Sequence, residues 1–192
     1  MKNTIKNIGA LVVLSFLTFS FTGIKETRKD IKIKNSNIVW KGYKVTGSHQ
    51  GTIALKSGSL NFNKKKLTGG EFTIDMASIT CTDLNGEYKN KLEGHLKSDD
   101  FFGVKKNPTA SLVFKNVKST GKNSYKIKGN LTIKGITKSV TLNLSIYGNK
   151  ANATLKIDRS KYNVKYGSTS FFDGLKDKAI YDEFDLVVDL EF

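Results

Sequence analysis

The segment Tyr125-Lys126-Ile127-Lys128-Gly129-Asn130-Leu131-Thr132-Ile133 places an apolar residue or a glycine at every second position. Strict alternation of this kind predicts a β-strand with one face in a core and the other face in water. The polar turn Thr120-Gly121-Lys122-Asn123 precedes the segment. Because such a short connection joins neighbouring strands, an antiparallel sheet is expected here.

The same alternation recurs along most of the chain. The further strand-like segments are residues 36–42, 51–55, 58–62, 69–76, 110–114, 140–146, 151–157 and 184–192. About eight strands of this kind form either a sandwich or a closed barrel. Glycines inside strands favour the barrel, because closed sheets bend at such positions; they are Gly42, Gly70 and Gly129.

Bulky residues on the inward faces of these segments favour the barrel as well. They are Trp40, Phe62, Phe72, Met76 and Phe114. A barrel of eight strands has room for side chains or for one small ligand, and alternation alone leaves open whether its interior is filled or hollow. The chain is therefore predicted to be all-β, an antiparallel eight-stranded barrel.

One central segment, Gly94-His95-Leu96-Lys97-Ser98-Asp99-Asp100-Phe101-Phe102, breaks the alternation and is followed by Pro108. We predict a short helical insertion near residues 88–103. The adjacent carboxylates Asp99 and Asp100 would point in different directions on a strand or a helix, which is poor geometry for a shared acid–base pair. Ser98 lacks the glycine pattern of a nucleophile elbow. We therefore expect a protein that is not an enzyme.

The N-terminal residues differ in kind from the rest. Lys2 and Lys6 precede an apolar run over residues 8–17, and small and polar residues follow it. This pattern is typical of a secretory signal peptide, here residues 1–23, and the run is short for a membrane span. Residues 24–35 are polar and predict a flexible spacer before a domain at residues 36–192. The protein is expected to be exported, to the periplasm or outside the cell.

The formal net charge is +15, which raises the question of nucleic acid. The lysines alternate with apolar residues, as on the wet face of a strand. Arg28 and Arg159 are the only arginines, so bidentate readout of phosphates or bases has few candidates. We expect no nucleic-acid partner. The positive charge is explained either by a solvated lysine-rich surface or by peripheral contact with an anionic membrane surface.

Cysteine and histidine are too few to suggest a metal site. Cys81 is the only cysteine, and the histidines are His49 and His95. Neither metal-ligand spacing nor an intrachain disulfide is available, so Cys81 is interpreted as a small buried residue. Each histidine is either a structural residue bonded to a nearby Asp or Ser, or a polar contact at a barrel mouth.

Several motifs resemble the YceI-like family. The central one is His95-Leu96 followed by Asp100-Phe101-Phe102 and Pro108. The other similar stretches run in order along the chain: residues 36–51 with Gly47, His49 and Gly51, residues 69–79, Gly129-Asn130-Leu131-Thr132-Ile133-Lys134-Gly135-Ile136-Thr137, and residues 157–162. The segment Ser170-Phe171-Phe172-Asp173-Gly174-Leu175 departs from the common pattern.

This resemblance implies an exported, lipocalin-like barrel that binds a long apolar lipid, such as a polyisoprenoid or a quinone-like molecule, for storage, transport or sequestration. The implied cavity wall is Ile38, Trp40, Ile53, Phe62, Phe72, Ile74, Met76, Phe101, Phe102, Leu112, Phe114, Ile127, Leu131, Ile133, Leu142 and Leu144. His49 and His95 would lie at the polar mouth or headgroup position, and Phe101 and Phe102 would close one end. The alternatives are a filled barrel that binds another protein, and an enzyme acting on an isoprenoid lipid. The sequence leaves the oligomeric state open, including a dimer.

Overall fold

A computed structural model describes residues 26–192, so the predicted signal peptide at residues 1–23 lies outside the described part of the chain. The regular elements are β1 (Glu26–Asp30), β2 (Asn37–Lys44), β3 (Gly47–Asn63), β4 (Lys66–Cys81), α1 (Gly86–Lys97), β5 (Thr109–Ser119), β6 (Ser124–Ile133), β7 (Ile136–Tyr147), β8 (Lys150–Asp158) and β9 (Ile180–Glu191). Short 3₁₀ turns cover Ile33–Asn35, Arg159–Tyr162 and Lys176–Lys178.

The strands form a closed antiparallel sheet. β2 pairs with β9, the order continues through β8, β7, β6, β5 and β4 to β3, and β3 pairs with β2 again. These eight strands complete the barrel, which confirms the predicted eight-stranded fold with one helix. β1 is a ninth strand that pairs only with the second half of β3.

The interpretation of residues 24–35 as a flexible spacer is wrong for the part that the structure describes. Residues 26–30 form β1, and the Ile31 side chain is buried in the core. The Ile31 N–H donates to the Gly58 carbonyl at 2.9 Å, and the Lys32 N–H donates to the Glu191 carbonyl at 2.7 Å. The polar, lysine-rich composition did not indicate a strand, because the side chains of β1 are exposed while its backbone pairs with β3.

The predicted insertion contains a helix, α1, followed by a series of turns. Within α1, Leu96 is buried and Leu92 packs against the core. The helix ends at Lys97, and the next residue, Ser98, caps it: its N–H and its hydroxyl both donate to the His95 carbonyl, at 3.1 and 2.7 Å. Phe101 and Phe102 therefore lie in a compact turn after the helix, and Gly103 continues it with a positive φ of 58°.

The barrel has two ends of different construction. The helix end carries α1, the segment 98–108 and the segment 159–179, while the hairpin end carries the β3–β4, β5–β6 and β7–β8 turns. Between the two ends, Gly70 on β4 allows the Phe114 ring to pack closely against the backbone, because a Cβ at this position would lie only 2.9 Å from that ring. Gly42, by contrast, has open space around its α-carbon and lies at a register shift between β2 and β9.

Among residues 26–192, no helix has the length and apolar character needed to cross a bilayer.

Candidate functional site

The barrel contains an apolar cavity of about 330 Å³. Its wall combines inward side chains from β2 to β9 with residues of α1 and of the turns that follow it. The interior is therefore hollow over part of its length. The volume lies at the lower end of the range for small-molecule pockets.

The cavity lining includes every predicted wall residue except two, Phe62 and Ile127. The predicted lining residues found there are Ile38, Trp40, Ile53, Phe72, Ile74, Met76, Phe101, Phe102, Leu112, Phe114, Leu131, Ile133, Leu142 and Leu144. Both predicted mouth histidines, His49 and His95, line it as well. Contact of these residues with a lipid remains a prediction.

The assignment of Phe62 and Ile127 to the cavity wall is wrong. Phe62 packs on Phe192 with 5.5 Å between ring centroids, and Ile127 is 0% exposed within the core. Both point inward, but they belong to the hairpin end, which side chains fill. Alternation identifies the inward face of a strand without giving the height at which the cavity ends.

The last two strands also contribute to the wall, although none of their residues was predicted to line it. The inward residues of β8 and β9 that line the cavity are Ala153, Leu155, Ile157, Phe184, Leu186, Val188 and Leu190. They follow the same alternation as the other strands, so the signal was present in the sequence. Two small residues of this wall, Ala153 and Ala110, leave space where a larger side chain would fill it.

Phe101 and Phe102 line the cavity at its helix end. They are 7% and 8% exposed, and their rings meet edge to face at 5.0 Å. The Phe102 N–H donates to the Leu96 carbonyl at 3.1 Å, which attaches the turn to α1. The Lys134 ammonium donates to the Phe101 carbonyl at 2.7 Å, and burial lowers the pKa of Lys134. The two rings are therefore held in place from both sides.

His95 lies beside these rings on the cavity wall. Its ring contacts those of Phe101 at 5.6 Å and Tyr166 at 4.3 Å. Its Nε2 atom is buried and has no hydrogen-bond partner among residues 26–192. A buried polar atom without a partner is costly, so this nitrogen is a natural contact for a polar group of a bound molecule.

His49 is engaged with a carboxylate at the rim. Its Nδ1 lies 3.1 Å from Asp83 Oδ2, and Asp83 Oδ1 accepts from the Gln50 N–H at 3.3 Å and from the Cys81 thiol at 2.9 Å. Burial alone would raise the pKa of Asp83, but the hydrogen bonds from Cys81, Gln50 and His49 outweigh it and lower this pKa. Asp83 is not part of the cavity lining.

Cys81 does not have the character of a nucleophile. Burial, together with its hydrogen bond to Asp83, raises the pKa of the Cys81 thiol. A thiol that stays protonated is a poor nucleophile.

The carboxylates near the Phe101–Phe102 turn do not form a reactive cluster either. Asp99 is paired with Lys106 at 2.6 Å at the surface. Among the described residues, no group of three or more His, Cys, Asp or Glu side chains is arranged to hold a metal ion.

Arg159 is a buried cation that the sequence analysis did not assign. Only 2% of it is exposed, and burial lowers its pKa. Its guanidinium donates to the carbonyls of Val164, Tyr166 and Ile180 at 2.9 Å each, and to that of Tyr181 at 3.2 Å. It thereby fixes the loop 163–179 against the cavity. The sequence signal was an arginine directly after the alternating strand β8.

The segment Ser170–Leu175, whose sequence departs from the common family pattern, lies outside the cavity wall. Phe171 and Phe172 are 42% and 50% exposed, and Phe172 borders a surface groove beside Lys134. The segment is therefore part of the outer surface of the helix end.

Comparison with known proteins places this geometry in context. Among curated proteins, UPF0312 proteins of Azotobacter vinelandii and Pseudomonas aeruginosa are 34% and 36% identical over 92 and 91 residues. The matched regions cover 48% and 47% of this chain and 46% and 45% of those proteins. The chain thus spans about half the length of the curated relatives that it matches.

Three solved structures share the fold. Burkholderia cenocepacia BcnA superimposes with a TM-score of 0.66 at 24% identity, covering 83% of this chain and 98% of that one. The Campylobacter jejuni YCEI protein gives 0.54 at 19% identity, covering 100% and 97%. A polyisoprenoid binding domain from Saccharophagus degradans, implicated in plant cell wall breakdown, gives 0.59 at 14% identity, covering 84% and 97%. Residues 29–192 match the YceI-like domain, and the chain therefore belongs to the YceI-like domain family.

Proposed function

We propose that this protein binds one long apolar lipid, of the polyisoprenoid class, inside the barrel. The observation that carries the proposal is the cavity inside the barrel, whose wall is built almost wholly from aliphatic and aromatic side chains. A hydrocarbon chain placed there gains roughly 0.8 kcal/mol per methylene removed from water, before the cost of ordering it. The Saccharophagus degradans neighbour is a polyisoprenoid binding domain, which supports the same ligand class.

We further propose that the polar end of the ligand lies at the helix end of the barrel. The cavity residues with charged or hydroxyl-bearing side chains lie at that end, while the hairpin end is filled by side chains; they are Tyr43, Lys44, His49, His95, Arg159 and Tyr181. Arg159 donates to four backbone carbonyls and lies 3.5 Å from Asp182, and His49 is bonded to Asp83. His95 Nε2 is a buried lining atom without a hydrogen-bond partner within residues 26–192, so we propose that it binds a hydroxyl or carbonyl of the lipid.

Binding is favoured over catalysis by the state of the candidate reactive groups. An enzyme acting on the lipid would need a histidine beside a carboxylate within the cavity. The carboxylate beside His49 lies outside the lining, and no residue from 26 to 192 forms a hydrogen bond with His95 Nε2. The Cys81 thiol, which is bonded to Asp83, is buried, and burial raises its pKa. A carrier needs none of these groups to react.

Trp40 provides a direct test of binding. It is the only tryptophan, it lines the cavity, and its Nε1 donates to the Thr80 carbonyl at 3.1 Å. Delipidated protein titrated with prenols of increasing chain length is expected to show saturable changes in Trp40 fluorescence, and affinity that rises with length until the cavity is full. A response that is absent, or that is identical for long prenols and for butanol, would contradict the proposal.

We also propose that the protein is exported, on the strength of residues 1–23 alone. Lys2 and Lys6 followed by a short apolar run are the features of a signal peptide. Cell fractionation followed by N-terminal sequencing tests this. Mature protein outside the cytoplasm that begins near residue 24 is expected; uncleaved protein in the cytoplasm would overturn the proposal.

A further inference from the structure

The β5–β6 hairpin carries a concentration of exposed lysines without ion-pair partners. They are Lys115, Lys118, Lys122, Lys126 and Lys128. No side chain within residues 26–192 forms a salt bridge with any of them, whereas Lys106 and Lys156 elsewhere are paired with Asp99 and Asp185. Their positive charge is therefore presented uncompensated to the solvent.

The sequence explains why no partner is near. Residues 101–157, which include all of β5, β6 and β7, carry eleven lysines and no aspartate or glutamate. Across from Lys126 and Lys128 the neighbouring strand β7 presents Asn143 and Thr141. On the other side, the carboxylate of Glu71 on β4 is held by Arg28 at 2.6 Å. One side of the barrel is thus basic along several strands.

The arrangement within the hairpin works against stability. Lys118 is the direct cross-strand partner of Lys126, so the two ammonium groups share one face of the sheet. Like charges placed directly opposite each other destabilise a sheet. A surface selected for stability alone would place opposite charges at this pair. The hairpin instead accumulates a single sign of charge.

A second turn extends the same field. Lys64, Lys65 and Lys66 are exposed at the β3–β4 turn. The Leu67 N–H donates to the Tyr125 hydroxyl at 3.4 Å, which holds this turn beside the start of β6. We call the five hairpin lysines and these three turn lysines the basic face.

We propose that the basic face docks the protein on an anionic membrane surface. Lysine is a compact charge without the planar fork of arginine, and it suits mobile headgroups of varying position better than a fixed phosphate geometry. Recognition of single-stranded nucleic acid would instead use exposed aromatic rings, and the aromatic rings of β5 and β6, Phe114 and Tyr125, are buried. Preference for a membrane also rests on the proposed function, because an apolar lipid must be collected from a bilayer or delivered to one.

Vesicle flotation tests this proposal with ligand-stripped protein. Vesicles of phosphatidylcholine with about 30% phosphatidylglycerol are expected to bind the protein at low salt, and pure phosphatidylcholine is not. Attraction near such a surface contributes up to roughly a fivefold factor per lysine, and salt screening reduces this factor. A Lys118→Gln, Lys122→Gln, Lys126→Gln, Lys128→Gln variant should therefore bind at least about tenfold more weakly. The matched control removes the same charge elsewhere, at Lys34, Lys56, Lys91 and Lys178, and should lose only a small part of the binding.

Thermal unfolding gives a second readout that a structural role would not produce. Relief of the repulsion between Lys118 and Lys126 should leave the hairpin variant as stable as the parent protein, or raise its Tm by about 1–2 °C. Absence of binding to the anionic vesicles, equal loss in the control variant, or stronger binding to short DNA than to vesicles would overturn the proposal. Because the assay uses empty protein, its outcome is independent of whether the cavity holds a polyisoprenoid.

Discussion

The guanidinium of Arg159 lies over the ring of Phe101, with 5.3 Å between its central carbon and the ring centroid. One buried cation therefore contacts the turn that lines the helix end of the cavity, while its N–H groups hold the loop 163–179 in place. The two segments that complete the helix end meet at this pair. The turn and the loop are consequently expected to lose order together when Arg159 is replaced.

Replacing Arg159 with methionine should destabilise the protein by about 3–5 kcal/mol, because the carbonyls that it satisfies would be left buried and unpaired. Chemical denaturation measures the change, and hydrogen exchange should show the loss of protection concentrated in residues 163–180. Arg28→Met is the matched control: Arg28 pairs with Glu71 at the surface and should contribute less than about 1 kcal/mol. Equal effects of the two substitutions would contradict the assigned role of Arg159.

Phe102→Ala should weaken ligand binding as well as stability. The ring is buried against the cavity, so its loss should cost about 3 kcal/mol and open the helix end. Phe192→Ala removes a comparable buried ring at the hairpin end, away from the cavity lining. Both variants should lose stability, but only Phe102→Ala should release prenol faster in a stopped-flow measurement of Trp40 fluorescence. Identical release rates would show that Phe102 belongs to the core and does not close the cavity.

Filling the cavity should abolish binding while keeping the barrel. Ala153 lines the cavity on β8, and the next residue, Thr154, points outward. Ala153→Phe is expected to lower prenol affinity at least about tenfold, because the new ring occupies space that the ligand needs. Thr154→Phe places the same ring in solvent and should leave affinity unchanged. Far-UV circular dichroism checks that both variants retain the sheet.

The attachment of α1 to β4 should weaken at acid pH, because it depends on the ionised carboxylate of Glu93. Its carboxylate accepts from the Thr80 hydroxyl at 2.5 Å and from the Cys81 N–H at 2.9 Å, and these two hydrogen bonds lower the pKa of Glu93. Because the folded-state pKa is depressed, the stabilisation is complete above the unfolded value of about 4.3 and is lost as the pH falls through the folded value. Glu93→Gln should therefore be less stable than the parent protein at pH 7. The gap between them should narrow below pH 4; a gap that is constant from pH 7 to pH 2 would refute the role of this carboxylate.

The sequence predicted the architecture well because its signals were local. Alternation in segments such as Tyr125–Ile133 identified strands, and strand glycines such as Gly70 indicated a closed sheet. Alternation also predicted most of the cavity wall, but it could not separate Phe62, which fills the hairpin end, from Phe72, which lines the cavity. That distinction depends on how high each residue lies along the barrel axis.

Features that depend on long-range pairing escaped prediction. The sequence of β1 resembles a polar spacer, because the strand is formed by backbone pairing with residues 29 to 37 positions away in the chain. The role of Arg159 depends on carbonyls from a loop and from β9, which no local pattern reveals. His49 was assigned either to a polar contact at the mouth or to a structural pair with a nearby acid. It lines the cavity and pairs with Asp83, thirty-four positions away in the chain.

Mass spectrometry of organic extracts tests the central proposal most directly. The parent protein and the Ala153→Phe variant, purified without detergent from the same host, would be extracted and compared at equal protein amounts. A long apolar lipid near one equivalent in the parent extract, and strongly depleted in the variant extract, is the expected result. An empty parent extract, or equal lipid in both, would contradict the proposal that this cavity holds a polyisoprenoid lipid.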